Sequence, residues 1–185
     1  VEISLERIGA DVYTSNGHKW LMNQRGCAFL GVSDQIRDVL HPVLDSWGHG
    51  KGFNAEFVWQ GTMDYTPMLT MPAAISFLSW CGRGNPEQVY KRNHRLVRWA
   101  ANTLSYILDT RTLFPSEMFA CMACVKLPAY ANSTEGLRLV LSQDEPRVQV
   151  AVFFVDDSEN DRHLRISCAI YNDVWDVLTL AKKLL

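Results

Sequence analysis

Hydrophobic positions along the chain fall into two helical stretches framed by shorter alternating or continuous apolar runs. From about Met68, Leu69, Pro72, Ala73, Phe77 and Trp80 fall roughly on one helical face. Pro72 must then lie in the first turn of that helix or kink it. Gly82-Arg83-Gly84-Asn85-Pro86 breaks the pattern. A second helix is predicted over Glu87 to Leu108, where Val89, Leu96, Val97, Ala100, Ala101, Leu104 and Leu108 form an apolar stripe. Strands are predicted at Val12-Tyr13-Thr14 and at Cys27 to Val32, with a polar, glycine-bearing turn between them. Further strands are predicted at 119–127, Gln149 to Val155 and Leu164 to Ala169. Ser133-Thr134-Glu135 resembles an N-cap and predicts a short helix, and Val174 to Leu185 a final one.

Residues 41–64 show no period. They hold Gly48, Gly50, Gly52 and Gly61 among Trp47, Phe53, Phe57 and Trp59. So many aromatic residues argue against disorder, and a loop of this length in a compact domain is usually functional. Helices alternating with strands give an α/β or α+β class. Residues 1–80 read as part of one layer system and 81–185 as a compact, smaller α/β domain.

Composition narrows the classes. The 185 residues are 48% hydrophobic and 21% charged with a formal net charge of -2, which suits a globular protein and favours neither nucleic acid nor an anionic membrane. No apolar run approaches the roughly 18 residues of a membrane span. The opening Val1-Glu2-Ile3-Ser4 reads as the middle of an element, as expected of part of a longer protein. Five cysteines without framework spacing predict reduced thiols and a cytoplasmic setting. Cys121 and Cys124 make a lone C-x-x-C, but they sit in an apolar strand-like run that would point them to opposite faces, so they read as core rather than as a metal or redox pair.

The stretch richest in chemistry is Gly9-Ala10-Asp11-Val12-Tyr13-Thr14-Ser15-Asn16-Gly17-His18-Lys19-Trp20-Leu21, followed by Gly26-Cys27-Ala28-Phe29-Leu30. A strand runs into a tight turn that presents a lysine between an imidazole and an indole. Desolvation there would lower the amine pKa and free it to attack a carbonyl. Spacing alone does not separate such a lysine from a solvated one.

This stretch resembles the Schiff-base segment of class V aminotransferase-like enzymes dependent on pyridoxal 5'-phosphate (PLP), in the isopenicillin N epimerase-like and cysteine desulfhydrase-like branch. Two further blocks resemble the same family in order and distance. One is Gly52-Phe53-x-x-Glu56-Phe57-x-Trp59-x-Gly61-Thr62-x-Asp64-Tyr65 with Pro72-Ala73-Ala74; the other is Leu164-Arg165-Ile166-Ser167 with Tyr171-Asn172. The resemblance implies the C-terminal part of a fold-type I enzyme: residues 1–80 the end of the PLP-binding large domain, residues 81–185 the small domain.

It also implies roles. Lys19 would carry the cofactor as a Schiff base and shuttle the proton at Cα, with PLP as the electron sink. His18 would help hold the cofactor, and Gly61 and Thr62 would reach the phosphate of a neighbouring subunit's cofactor in a homodimer. Arg165 would bind the substrate α-carboxylate through its planar fork, with Asn172 and Asp64 as weaker candidates, and Trp20 would serve packing. The family's pyridinium-pairing Asp and phosphate-binding glycine turn lie before the lysine. Only Asp11 precedes Lys19 here, and it matches another family position, so this chain is expected to hold half a site and to be inactive alone. The same family chemistry leads to β-elimination (C–S lyase or desulfhydrase), epimerisation, sulfur transfer or transamination of an amino acid. A lyase or epimerase is the expectation, since elimination needs one base and Cys81 is only loosely placed for sulfur transfer. The rival expectation is an inactive truncated isoform or paralogue acting as an interaction or dimerisation module.

Overall fold

The computed structural model describes residues 3–129, 137, 141–143, 145–155 and 161–185. It divides into two compact units, one ending at Trp80 and the other running from Cys81 to Leu185.

The first unit begins with a single helical turn, α1 (Leu5–Ile8), capped by the Ser4 hydroxyl and ended by Gly9 in the left-handed region. Strands β1 (Val12–Asn16) and β2 (Ala28–Val32) pair antiparallel with Asn16 opposite Ala28. The stretch without a period contains a short helix, α2 (Phe53–Val58). The helix expected from Met68 is instead two: α3 (Thr66–Leu69) and α4 (Met71–Cys81), separated at Thr70. Pro72 falls in the first turn of α4, where its missing N–H leaves no helical bond unmade.

The second unit is built on α5 (Pro86–Ile107). Its start follows from the residues: Asn85 Oδ1 accepts from the Glu87 N–H at 3.0 Å, and Pro86 occupies the first helical position. Gly82 is required just before, because a Cβ there would stand 2.0 Å from the Asn85 carbonyl oxygen. Strands β3 (Met122–Lys126), β4 (Ala151–Phe154) and β5 (Arg162–Ser167) form an antiparallel sheet in the order β3-β5-β4. The final helix, α6 (Val174–Leu184), opens on a reciprocal capping box between Asp173 and Asp176 and places Lys182 and Lys183 at its negative end.

Val97, Ala100, Ala101 and Leu104 of α5 pack with Val125, Val152, Leu164 and Ile166 of the sheet and with Val177, Leu180 and Ala181 of α6. This single core fixes the sheet's register, since a slip of one residue would turn Leu164 and Ile166 out of it. The helix expected from Ser133 lies outside the described residues. No described helix is long and apolar enough to cross a membrane.

Candidate active site

The β1–β2 ladder continues one step beyond the strands, with the Gly17 N–H donating to the Cys27 carbonyl at 2.9 Å. The chain then loops out and returns: Met22 N–H donates to the Lys19 carbonyl at 3.1 Å, and Asn23 N–H to the Gly17 carbonyl at 3.0 Å. Closing so short a loop puts Met22 in the left-handed region at φ 61°. Gly17 lies close against Met71, whose terminal methyl would have to shift for a Cβ, which would stand 2.9 Å from it.

The loop is also tied from below. Asn23 is buried, its Nδ2 donates to the Pro67 carbonyl at 2.7 Å, and its Oδ1 accepts from the Thr70 hydroxyl at 2.8 Å. Lys19 is exposed, while His18 and Trp20 are half-buried. The aromatic neighbours in sequence therefore do not wall off the amine within this chain, and the expected desolvation is not seen. His18 Nδ1, in contrast, is buried without a hydrogen-bond partner among the described residues. A buried polar atom left unpaired costs about 1–3 kcal/mol and marks a position suited to a polar group from a ligand or from another segment.

Gly61 and Thr62 lie in the turn between α2 and α3. Gly61 has φ 109°, with nothing within 4 Å of a notional Cβ, so its amide is open to close approach. The Tyr65 hydroxyl fixes this turn by donating to the Gly61 carbonyl at 2.8 Å and accepting from the Gln60 N–H at 3.0 Å. The Trp59 ring stacks on Tyr65 with centroids 5.2 Å apart. Asp64 accepts from the Thr66 N–H at 2.9 Å, and its hydrogen bonds with the Thr66 side chain and backbone hold its carboxyl below the usual value. Its carboxylate is engaged in starting α3.

Upstream of that turn, Glu56 organises the stretch that has no sequence period. Its buried carboxylate meets His41 Nδ1 at 2.6 Å and accepts from the Gly50 N–H at 3.0 Å. The His41 hydrogen bond is the largest cause of a carboxyl pKa below the ordinary value. Gly48 lets this segment close against α2, since a Cβ there would fall 1.9 Å from the Ala55 carbonyl oxygen.

In the second unit Arg165 sits on β5, opposite Cys124 of β3 and Ala151 of β4. Leu164 and Ile166 on either side of it are buried, whereas Arg165 is exposed. Its guanidinium makes no hydrogen bond or ion pair among the described residues, and it lines an open cavity of about 630 Å³ with Gln149, Ser167, Asn172 and Asp176. Asn172 faces the same cavity with both polar atoms already engaged: Oδ1 accepts from the Ala169 N–H at 3.0 Å, and Nδ2 donates to Asp176 at 3.1 Å. Arg92 of α5 holds this corner by donating to the Ala169 carbonyl at 3.0 Å and to the Asn172 carbonyl.

Of the cysteines, Cys168 lines the same cavity. Cys121 is buried, Cys124 is half-buried on β3, and burial pushes both thiols up. Cys81 is the last residue of α4. No group of His, Cys, Asp and Glu among the described residues is arranged to hold a metal ion.

Solved structures share this architecture. The chain superposes on the cystine C–S lyase C-DES, solved with its reaction product cysteine persulfide, at a TM-score of 0.77 and 17% identity, covering 98% of this chain and 48% of that one. A cysteine desulfurase from Thermococcus onnurineus NA1 matches at 0.74 and 18%, over 96% of this chain and 47% of that one. The fold is the α/β fold of the C-terminal part of fold-type I PLP enzymes. No family model matches the chain.

Curated relatives narrow the class. A protein of Oryza sativa subsp. japonica named as an L-cysteine desulfhydrase is 35% identical over 95% of this chain and 40% of its own length. One of Arabidopsis thaliana, named as a chloroplastic L-cysteine desulfhydrase, is 31% identical over 95% of this chain and 39% of its own. The isopenicillin N epimerase of Amycolatopsis lactamdurans is 29% identical over 99% of this chain and 48% of its own. The similarity is to class V aminotransferase-like PLP enzymes, the curated relatives being L-cysteine desulfhydrases and isopenicillin N epimerases, and the chain spans less than half the length of these relatives.

Proposed function

We propose that this chain carries the lysine-bearing part of a PLP-dependent enzyme that acts at Cα and Cβ of an amino acid, as a C–S lyase of a sulfur-containing amino acid. In this reading the unit ending at Trp80 belongs to the cofactor-binding large domain, and the unit from Cys81 is the small domain. The observation that carries it is the Lys19 loop: an exposed amine on a tightly closed turn, next to a buried His18 Nδ1 that lacks a partner. These residues fit the cofactor's aldehyde and its polar substituents.

Lys19 would hold the cofactor, with His18 supplying a hydrogen bond to it. The open Gly61 amide and the exposed Thr62 hydroxyl would bind phosphate oxygens, of a neighbouring subunit's cofactor if the protein is a homodimer. PLP, when bound, supplies the electron sink that makes a proton at the substrate Cα removable. Arg165, exposed and unpaired among the described residues, would bind the substrate α-carboxylate and so orient that Cα–H. Once the substrate amine has displaced it from the cofactor, the freed Lys19 amine would take the proton from Cα. One base suffices for loss of a β-sulfur group, whereas epimerisation requires a second one on the opposite face. Asn172, its side chain already occupied, acts on the substrate through the loop it braces.

The test is to incubate the chain with PLP, reduce with borohydride and map the adduct by mass spectrometry. The reading expects one dominant adduct on Lys19, lost in Lys19→Ala; adducts spread over the exposed lysines would overturn it. Sulfide release from cysteine by the protein at the length of its relatives, abolished by Lys19→Ala, distinguishes lyase from epimerase.

A further inference from the structure

We propose that Asn23 is a positioning residue for Lys19, fastening the lysine loop to the segment that follows the Gly61–Thr62 turn. The inference rests on the reading of Lys19 as the cofactor-holding residue. Asn23 is one of four buried polar or charged residues among those described, and it lies four positions from the lysine. Its backbone N–H closes the loop onto Gly17, and its side chain spans 44 residues of sequence to the Pro67 carbonyl.

The bond from the Thr70 hydroxyl completes the fastening. It falls where the backbone breaks between α3 and α4, so the break serves a purpose: it brings the Pro67 carbonyl and the Thr70 hydroxyl together at Asn23. Two residues before Pro67, the Tyr65 hydroxyl grips Gln60 and Gly61. Two sets of hydrogen bonds, joined by the short backbone from Tyr65 to Pro67, therefore link the loop that offers the amine to the turn that would offer phosphate donors. Gly17 packed on Met71 supports the same contact from the other end of the loop. Such bracing holds a reacting group in a fixed geometry on an otherwise exposed loop.

Asn23→Ala, and the near-isosteric Thr70→Val as a gentler variant, are compared with wild type and with Thr70→Ser, which keeps the hydroxyl. Two quantities are read: amide hydrogen exchange at Met22 and Asn23, and the ratio of PLP–borohydride adduct on Lys19 to that on exposed Lys51. Exchange at those amides should rise about tenfold in Asn23→Ala and Thr70→Val. The Lys19:Lys51 ratio should fall at least several-fold in both, with Thr70→Ser restoring it, while exchange in α5 is unchanged. Faster loop exchange with the ratio preserved would mean that Asn23 braces the loop without positioning the amine, and overturns the proposal. Unchanged exchange overturns it as well. A wild-type chain that shows no preference for Lys19 overturns the cofactor reading itself, a result distinct from either of these.

Discussion

Replacing Arg92 offers the sharpest quantitative check on how the second unit is held together. The guanidinium joins the first third of α5 to carbonyls 77 and 80 residues further along the chain, at Ala169 and Asn172. Arg92→Ala strands both acceptors in a half-buried corner. Hydrogen bonds to a charged group contribute about 1.5–3 kcal/mol each when fully sheltered, and partial exposure screens them, so the pair is worth about 2–3 kcal/mol here. Lysine carries a point charge rather than a fork and reaches one carbonyl well, so Arg92→Lys should lose about half of that. Urea unfolding followed by far-ultraviolet circular dichroism gives the comparison, with the midpoint lowered by about 1–2 M and the slope unchanged. Lys91→Ala is the control. Among the described residues Lys91 pairs only with exposed Glu87 at 2.9 Å, and its loss should stay within about 0.5 kcal/mol. If Arg92→Ala were as mild as Lys91→Ala, the corner bearing Asn172 would be held by something other than this fork, and the reasoning would fail.

Two further outcomes follow from the titrating groups. The Glu56 carboxyl is depressed below its ordinary value of 4.5, chiefly by His41. Its stabilising contribution is therefore complete above that value and is lost as pH falls through the folded one. Urea midpoints measured from about pH 6 to about pH 3 should decline, and Glu56→Gln should flatten that decline; an identical slope in the variant would refute this role. Burial pushes the Cys168 thiol up to about 11, leaving only about one thiolate in a thousand at pH 8. Cys168 and Cys121 should resist iodoacetamide in the folded chain and react once urea unfolds it, whereas full modification of the folded chain within minutes would contradict the structure.

The elements that could be read in the sequence are those whose signals are local. The stripe from Val89 to Leu104 and the Asn85-Pro86 start define α5 without any tertiary information, and the alternation around Arg165 places it between two core residues. The capping box of α6 involves residues three apart and is equally local. What could not be read depends on distant partners. The apolar spacing from Met68 continues through Thr70, but the backbone breaks there, where the Thr70 hydroxyl meets an asparagine 47 residues away. α2 is only six residues long and is held by a buried Glu56 whose partners, His41 and Gly50, carry no pattern. At the site, a role for Lys19 and Arg165 came from the family resemblance, while the local order of residues suggested a lysine sheltered by neighbours that the folded loop leaves exposed. Asn23 and Arg92 went unnoticed because an isolated Asn or Arg announces nothing until its partner is known.

The placement of Arg165 on the central strand has a consequence for how this protein can change over generations. A terminal loop can gain or lose residues freely, but β5 is paired on both edges and alternates between the core and the open face. One inserted or deleted residue before Arg165 would send the guanidinium inward and a leucine or isoleucine outward, forfeiting the core and the proposed carboxylate-binding position together. Single replacements at Arg165 or Ser167 leave the inward set untouched. The side chains on the open face of this strand can therefore be exchanged while its length stays fixed.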